Sequence, residues 1–198
     1  MQDIKFPVNF QFKITSLAND FTAIDASGKT IAYVRQKMFK LKEDIQIFSD
    51  SSKSKVLYNI KADRWLDFSA AYAFFDENGK EFGKIARKGW KSIFKAEYEI
   101  IDESQYVQYT IREENGWIKV LDSLIGQIPI LNIFTGYLFN PSYILTNTGS
   151  KVIIRLKKLA SFTGRNFELS KLADLDSDDD DRVMLSFMMM ILLERRRG

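Results

Sequence analysis

Apolar runs broken by short polar turns recur along most of this chain. Three segments can be laid over one another. Phe21-Thr22-Ala23-Ile24 leads into Asp25-Ala26-Ser27-Gly28-Lys29, and Tyr72-Ala73-Phe74-Phe75 into Asp76-Glu77-Asn78-Gly79-Lys80. More loosely, Tyr143-Ile144-Leu145-Thr146 leads into Asn147-Thr148-Gly149-Ser150-Lys151. Each turn carries a glycine, closes on a lysine and is followed by a new apolar run. Glycine reaches the positive φ of a tight turn without steric cost, and Asp, Asn and Ser side chains bond local backbone. The pattern predicts hairpins whose second strands cover residues 30–34, 81–86 and 152–156, with further strands at 45–48 and 98–101. Regularly spaced short strands predict a sandwich or barrel. A repeated hairpin favours the barrel, because closure removes exposed edges. Hairpins of unrelated β proteins also look alike, so duplication is one of two explanations for the repeat.

Two stretches break this pattern. Residues 183–193, Val-Met-Leu-Ser-Phe-Met-Met-Met-Ile-Leu-Leu, have no polar face. A helix apolar all round belongs in a core or a membrane. Eleven residues make roughly 16 Å of helix, about half the hydrocarbon thickness of a bilayer, so a core is the better fit. The flanks agree. Asp178 to Asp181 precede the run and Glu194-Arg195-Arg196-Arg197 follow it. Acid at the start and base at the end complement the helix dipole, and one aspartate is expected as N-cap. A barrel threaded by this helix would bury it on every side. The second stretch, residues 120–139, is apolar but interrupted by Asp122, Gln127, Pro129 and Asn132, which argues against a membrane span. It reads as a crossover or short helix, with an interfacial membrane contact as the alternative.

Composition narrows the function. The chain has 198 residues, 14% aromatic, with no cysteine and no histidine. Disulfides, thiolate metal sites and cysteine nucleophiles are excluded, as are histidine triads and histidine-ligated metals. The expectation is a non-enzymatic protein without a cofactor. The start of the chain lacks the basic and apolar regions of a signal peptide, so a cytoplasmic location is expected, with peripheral contact at the inner membrane surface. One domain over residues 1–198 is expected, with an acidic linker at about 174–181 and the helix at about 182–195.

Net charge is only +3, which gives no reason of its own to expect nucleic acid. Local clusters are more basic. Arg35, Lys37, Lys40 and Lys42 form one, and Arg155, Lys157, Lys158 and Arg165 another. The third, Arg87, Lys88, Lys91 and Lys95, is interleaved with Trp90 and Phe94 and is the leading candidate. Cations beside rings suit anionic lipid headgroups, because charge draws phosphate while the ring rests at the interface. They also suit single-stranded nucleic acid, or simply a strand edge guarded by lysine. Asp174, Asp176, Asp178 and Asp180 alternate before the helix and suggest a weak calcium loop through the first three. Against it, Asp179 stands where an EF-hand needs glycine, and Leu185 where it needs glutamate. A solvated linker and helix cap is the simpler reading, with no metal. Phosphate loops of the Walker or GxGxxG kind are absent.

Three stretches together resemble a known family. They are the hairpin and basic follow-up at 21–42, the run Tyr72 to Lys80 with Gly83-Lys84-Ile85, and Phe167-Glu168-Leu169 with the acidic linker, apolar helix and Glu194-Arg195. The chain resembles the LURP-one-related family of the tubby C-terminal-like and phospholipid-scramblase-like superfamily. The resemblance implies an all-β closed barrel of about twelve strands around a buried hydrophobic C-terminal α-helix. Functions differ across that superfamily, from phosphoinositide binding to calcium-linked membrane roles, so fold transfers better than function. The expectation is a binding module for anionic phospholipid headgroups or a membrane surface, through Arg87, Lys88, Trp90, Lys91, Lys95, Arg35 and Lys37. The alternative is a protein-interaction or scaffold domain with no lipid role.

Overall fold

The computed structural model describes residues 3–12, 20–36, 44–62, 71–88, 97–114, 142–159, 166–175 and 179–195. Twelve antiparallel strands run up and down in chain order. They are β1 (Val8–Phe12), β2 (Phe21–Ile24), β3 (Thr30–Gln36), β4 (Asp44–Phe48), β5 (Val56–Ala62), β6 (Ala71–Phe75), β7 (Glu81–Arg87), β8 (Glu97–Asp102), β9 (Val107–Glu113), β10 (Ser142–Asn147), β11 (Val152–Leu159) and β12 (Asn166–Lys171). β1 pairs with both β2 and β12, which closes the barrel. Helix α1 (Asp180–Arg195) follows.

The hairpin signature holds, and among the described residues it occurs five times rather than three. At Asp25, Asp50, Asp76, Asp102 and Asn147 the carbonyl accepts the N–H three residues on, from Gly28, Lys53, Gly79, Gln105 and Ser150. All five of those residues have positive φ. This is a type I turn followed by a left-handed residue. The Asp or Asn side chain adds bonds of its own: Asp76 Oδ1 accepts the N–H groups of Asn78 and Lys80, both at 2.9 Å. In the third predicted hairpin the left-handed residue is Ser150, one position beyond the expected Gly149.

Each hairpin also holds one extra residue in its second strand. The pairing Ala23↔Ala32, Ile24↔Thr30 leaves Ile31 over, and the other four hairpins leave Leu57, Phe82, Gln108 and Ile153. A bulge re-aims a side chain. Ile31 and Ile153 accordingly join the core, and Phe82 packs on Phe74 and Tyr58.

Inner-facing residues such as Phe10, Ile60, Phe74, Ile85, Ile100, Ile111, Leu145 and Leu169 are wholly buried. An eight-stranded barrel is filled by its own side chains, and diameter grows with strand number. Twelve strands leave a space that a helix, about 10–12 Å across, can fill. Met184 to Leu192 are each 2% exposed or less and share one core with the strands. The helix therefore lies inside the barrel, as its apolar surface required. It begins at Asp180, inside the stretch expected as linker. Among the described residues no helix is long and apolar enough to cross a membrane.

Candidate functional site

Polar groups cluster where the helix enters the barrel. Arg182 is buried and donates to Asp179 Oδ1 at 2.5 Å, Gln108 Oε1 at 2.6 Å and the Phe82 carbonyl at 3.0 Å. Tyr109 donates to the other Asp179 oxygen at 2.9 Å, and Tyr58 donates to Asp181. Burial holds the Tyr58 hydroxyl above its usual pKa, and the Asp181 carboxylate adds to this. Asp179, directly before α1, stands in the expected N-cap place. The Asp179 carbonyl accepts the Val183 N–H at 2.9 Å, while its carboxylate ties the helix to β9. Gly83 leaves room for Arg182: a Cβ there would lie 2.6 Å from Arg182 Nε and 2.7 Å from the Ile101 carbonyl oxygen. These groups bond one another, so they hold the helix and its ring of strands together.

The leading basic cluster is divided by strand geometry. Successive residues of a strand point to opposite faces. Arg87 lies opposite Tyr98, whose ring is in the core, and its charge bears on the buried Tyr72. It belongs to the inner face. Lys88 lies on the outer face with Glu97 and Glu99, and its ammonium reaches their carboxylates at 2.9 and 2.8 Å. Those two bonds, Glu99 first, hold the Lys88 pKa above its usual value. The structure thus does not bring Arg87 and Lys88 together. Trp90, Lys91, Lys95 and Lys37 lie outside the described residues, as do Lys40, Lys42, Phe94, Arg165 and the apolar stretch 120–139. Arg155 is likewise matched, to Glu114 at 2.7 Å.

Elsewhere on the outer wall the cations stand differently. Arg35 is exposed, opposite Gln46, with no ion pair among the described residues. Lys61 on β5 and Lys84 on β7 also have none among them, and the Lys61 ammonium sits 4.8 Å from the centre of the Phe75 ring. Lys53 lies 5.6 Å over Tyr33. The Tyr33 hydroxyl donates to Asp20 at 2.7 Å, and burial together with that carboxylate pushes its pKa up to about 12. Lys61 and Lys84 were not singled out from the sequence as site residues. The signal was present, because strand alternation opposite the core residues Ile60 and Ile85 puts both on the outside.

Of the acidic run, Asp174 is exposed and pairs with Lys171 at 3.1 Å, whereas Asp176 and Asp178 lie outside the described residues. Large apolar groups exposed on the rim of the turns and beside it are Tyr106, Val107 and Leu172.

A family model described as LURP-one-related matches residues 30–182, from the first residue of β3 into the first turn of α1. No curated protein and no solved structure matches the chain.

Proposed function

The chain belongs to the LURP-one-related family, and from that premise we propose that it is a non-enzymatic module whose outer wall binds anionic phospholipid headgroups. One observation carries this reading: the Lys61 ammonium lies over the Phe75 ring on the outer wall, with no carboxylate partner among the described residues. A cation beside a ring suits the headgroup layer, where charge meets phosphate and the ring meets the interface. The filled interior agrees, since the helix occupies the space where a barrel would hold a ligand. The lack of histidine and cysteine from the whole sequence supports a role other than catalysis. On this reading the protein works peripherally at a cytoplasmic membrane surface.

Co-sedimentation with phosphatidylcholine vesicles, with and without phosphatidylserine, tests the proposal. Binding is expected only with the anionic lipid, and it should weaken several-fold as salt rises from about 0.05 to 0.3 M, because the Debye length shrinks. No binding even at low salt would refute it. A second reading, a protein-interaction domain, draws on the exposure of Tyr106, 72%, and Leu172, 52%. It predicts no vesicle binding at physiological salt.

A further inference from the structure

Resting on the headgroup reading, we infer that Lys61 and Lys84 form a two-lysine cradle that takes one phosphate group of a lipid headgroup on the outer wall. The register places them either side of one small residue: Lys61 is opposite Ala73, and Ala73 is opposite Lys84. Two strand intervals separate their Cα atoms by roughly 9–10 Å. Both side chains are long and leave the same face, and alanine puts nothing tall between them. Two ammonium groups can therefore converge on one phosphate above Ala73. The ring of Phe75, two residues along β6 on the same face, already lies under the Lys61 ammonium at 4.8 Å. It gives the cradle an apolar edge for the glycerol and upper acyl region.

Lys88 stands in contrast to this pair. Lys88 comes directly after β7, the strand that carries Lys84, and Glu97 and Glu99 on β8 supply its counter-charge. In the row through Lys84 the neighbour on β8 is Ile101, which supplies none. On the other side Asp44 faces Lys61 in register and has an interaction of its own, while the Lys61 ammonium lies over the Phe75 ring. The protein matches one of these lysine positions with fixed carboxylates and leaves the other pair for an external anion.

The test uses the full chain, a Lys61→Gln/Lys84→Gln variant, and a Lys29→Gln/Lys151→Gln control that removes the same charge from the turn rim. All three are sedimented with phosphatidylcholine vesicles containing phosphatidic acid, at physiological salt. The cradle predicts about a thirtyfold loss of affinity in the first variant and a markedly smaller loss in the control, from roughly 1 kcal/mol for each lysine held at an anionic surface. If the unaltered chain binds and the first variant binds equally well, or both variants lose equally, the cradle is wrong while the headgroup reading stands. If the unaltered chain does not bind anionic vesicles at all, the headgroup reading falls and takes the lipid cradle with it. Inorganic phosphate at millimolar concentration serves as a separate arm. Competition by it in proportion to its charge alone, matched by sulfate, supports a lipid source. Saturable binding of phosphate that needs Lys61 and Lys84 but no vesicle would overturn that source in favour of a soluble phosphate.

Discussion

Arg87 and Lys88 are neighbours in sequence and lie on opposite faces of the barrel wall. Facing inward, Arg87 lies opposite Tyr98 and its charge bears on the buried Tyr72, and further round the same interior Arg182 is bonded to a carboxylate, an amide and a carbonyl. Facing outward, Lys88 meets Glu97 and Glu99 on the neighbouring strand. Two strands away from Lys84, Lys61 has, among the described residues, an aromatic ring instead of a carboxylate. Inside, a polar group must be satisfied by the fold, because an unpaired buried group costs kilocalories. Outside, water satisfies it, so a cation can be left for a ligand at little cost in stability. The inner face should thus respond to substitution through folding, and the outer face through binding.

The largest effect is expected at the centre of the helix. Met189 is wholly buried in the shared core. Met189→Asp would bury a charge with no partner, at a cost of several kcal/mol against a typical domain stability of about 5–15 kcal/mol. Loss of the cooperative thermal transition, or no soluble protein, is the expected outcome. An outward change such as Lys61→Asp should leave the transition in place. A soluble Met189→Asp protein melting with the parent would break the contrast between the faces and the central-helix fold with it.

A smaller effect tests how the polar lock is fitted. Gly83 has φ of +146°, and a Cβ there would press on Arg182 and on the fixed Ile101 carbonyl. Gly79, at φ +80° in its turn, has open space where a Cβ would go. Gly83→Ala therefore carries both backbone strain and overpacking, about 2–5 kcal/mol, and Gly79→Ala the strain alone, about 1–2 kcal/mol. Urea unfolding midpoints separate the two. Equal shifts would mean that Arg182 yields easily and is not held by its three partners.

Parts of this arrangement were legible in the sequence, for physical reasons that also explain what was not. The helix could be read because its apolar run is too short for a bilayer and too uniform for a surface. Three turns could be read from Asp or Asn with a nearby glycine. The turns at Asp50 and Asp102 have the same geometry, but lysine and glutamine hold the left-handed positions, so glycine marks neither, and the acidic run Asp102-Glu103-Ser104 after the strand at 98–101 is the signal for the second. β1 was overlooked although Val8-Asn9-Phe10-Gln11-Phe12 alternates cleanly. The lock was hidden because Arg182 meets Gln108 and Phe82, which lie 74 and 100 residues earlier. The basic cluster was grouped by position along the chain, which ignores the alternation that sends Arg87 inward and Lys88 outward. The Lys61 and Lys84 pairing needed the register of three strands, and composition carries none of that.

The smallest effect lies at the hairpin turns, which answer to pH as well as to sequence. Asp25 Oδ1 accepts from the Ser27 hydroxyl at 2.6 Å and from the N–H groups of Ser27 and Lys29, and the hydroxyl bond does most to hold its pKa below the usual 3.8. Asp50 is lowered in the same way, first by the Ser52 side chain and then by the Ser52 N–H, which donates to Asp50 Oδ1 at 2.8 Å. A carboxylate with a lowered folded pKa contributes stability above its unfolded pKa, near 3.9, and that contribution disappears as pH falls through the folded value. Asn147 fills the equivalent place in the fifth turn, where its side-chain oxygen accepts the Lys151 N–H at 2.9 Å and cannot titrate. An amide therefore suffices for the backbone bonds. The variant Asp25→Asn/Asp50→Asn is expected to unfold near the parent midpoint at about pH 7 and to lose less stability on acidification to about pH 3. Urea midpoints at the two pH values measure the difference. If both proteins lose stability equally, the acid sensitivity does not reside in these two turn carboxylates, and their hydrogen bonds contribute no pH-dependent stability.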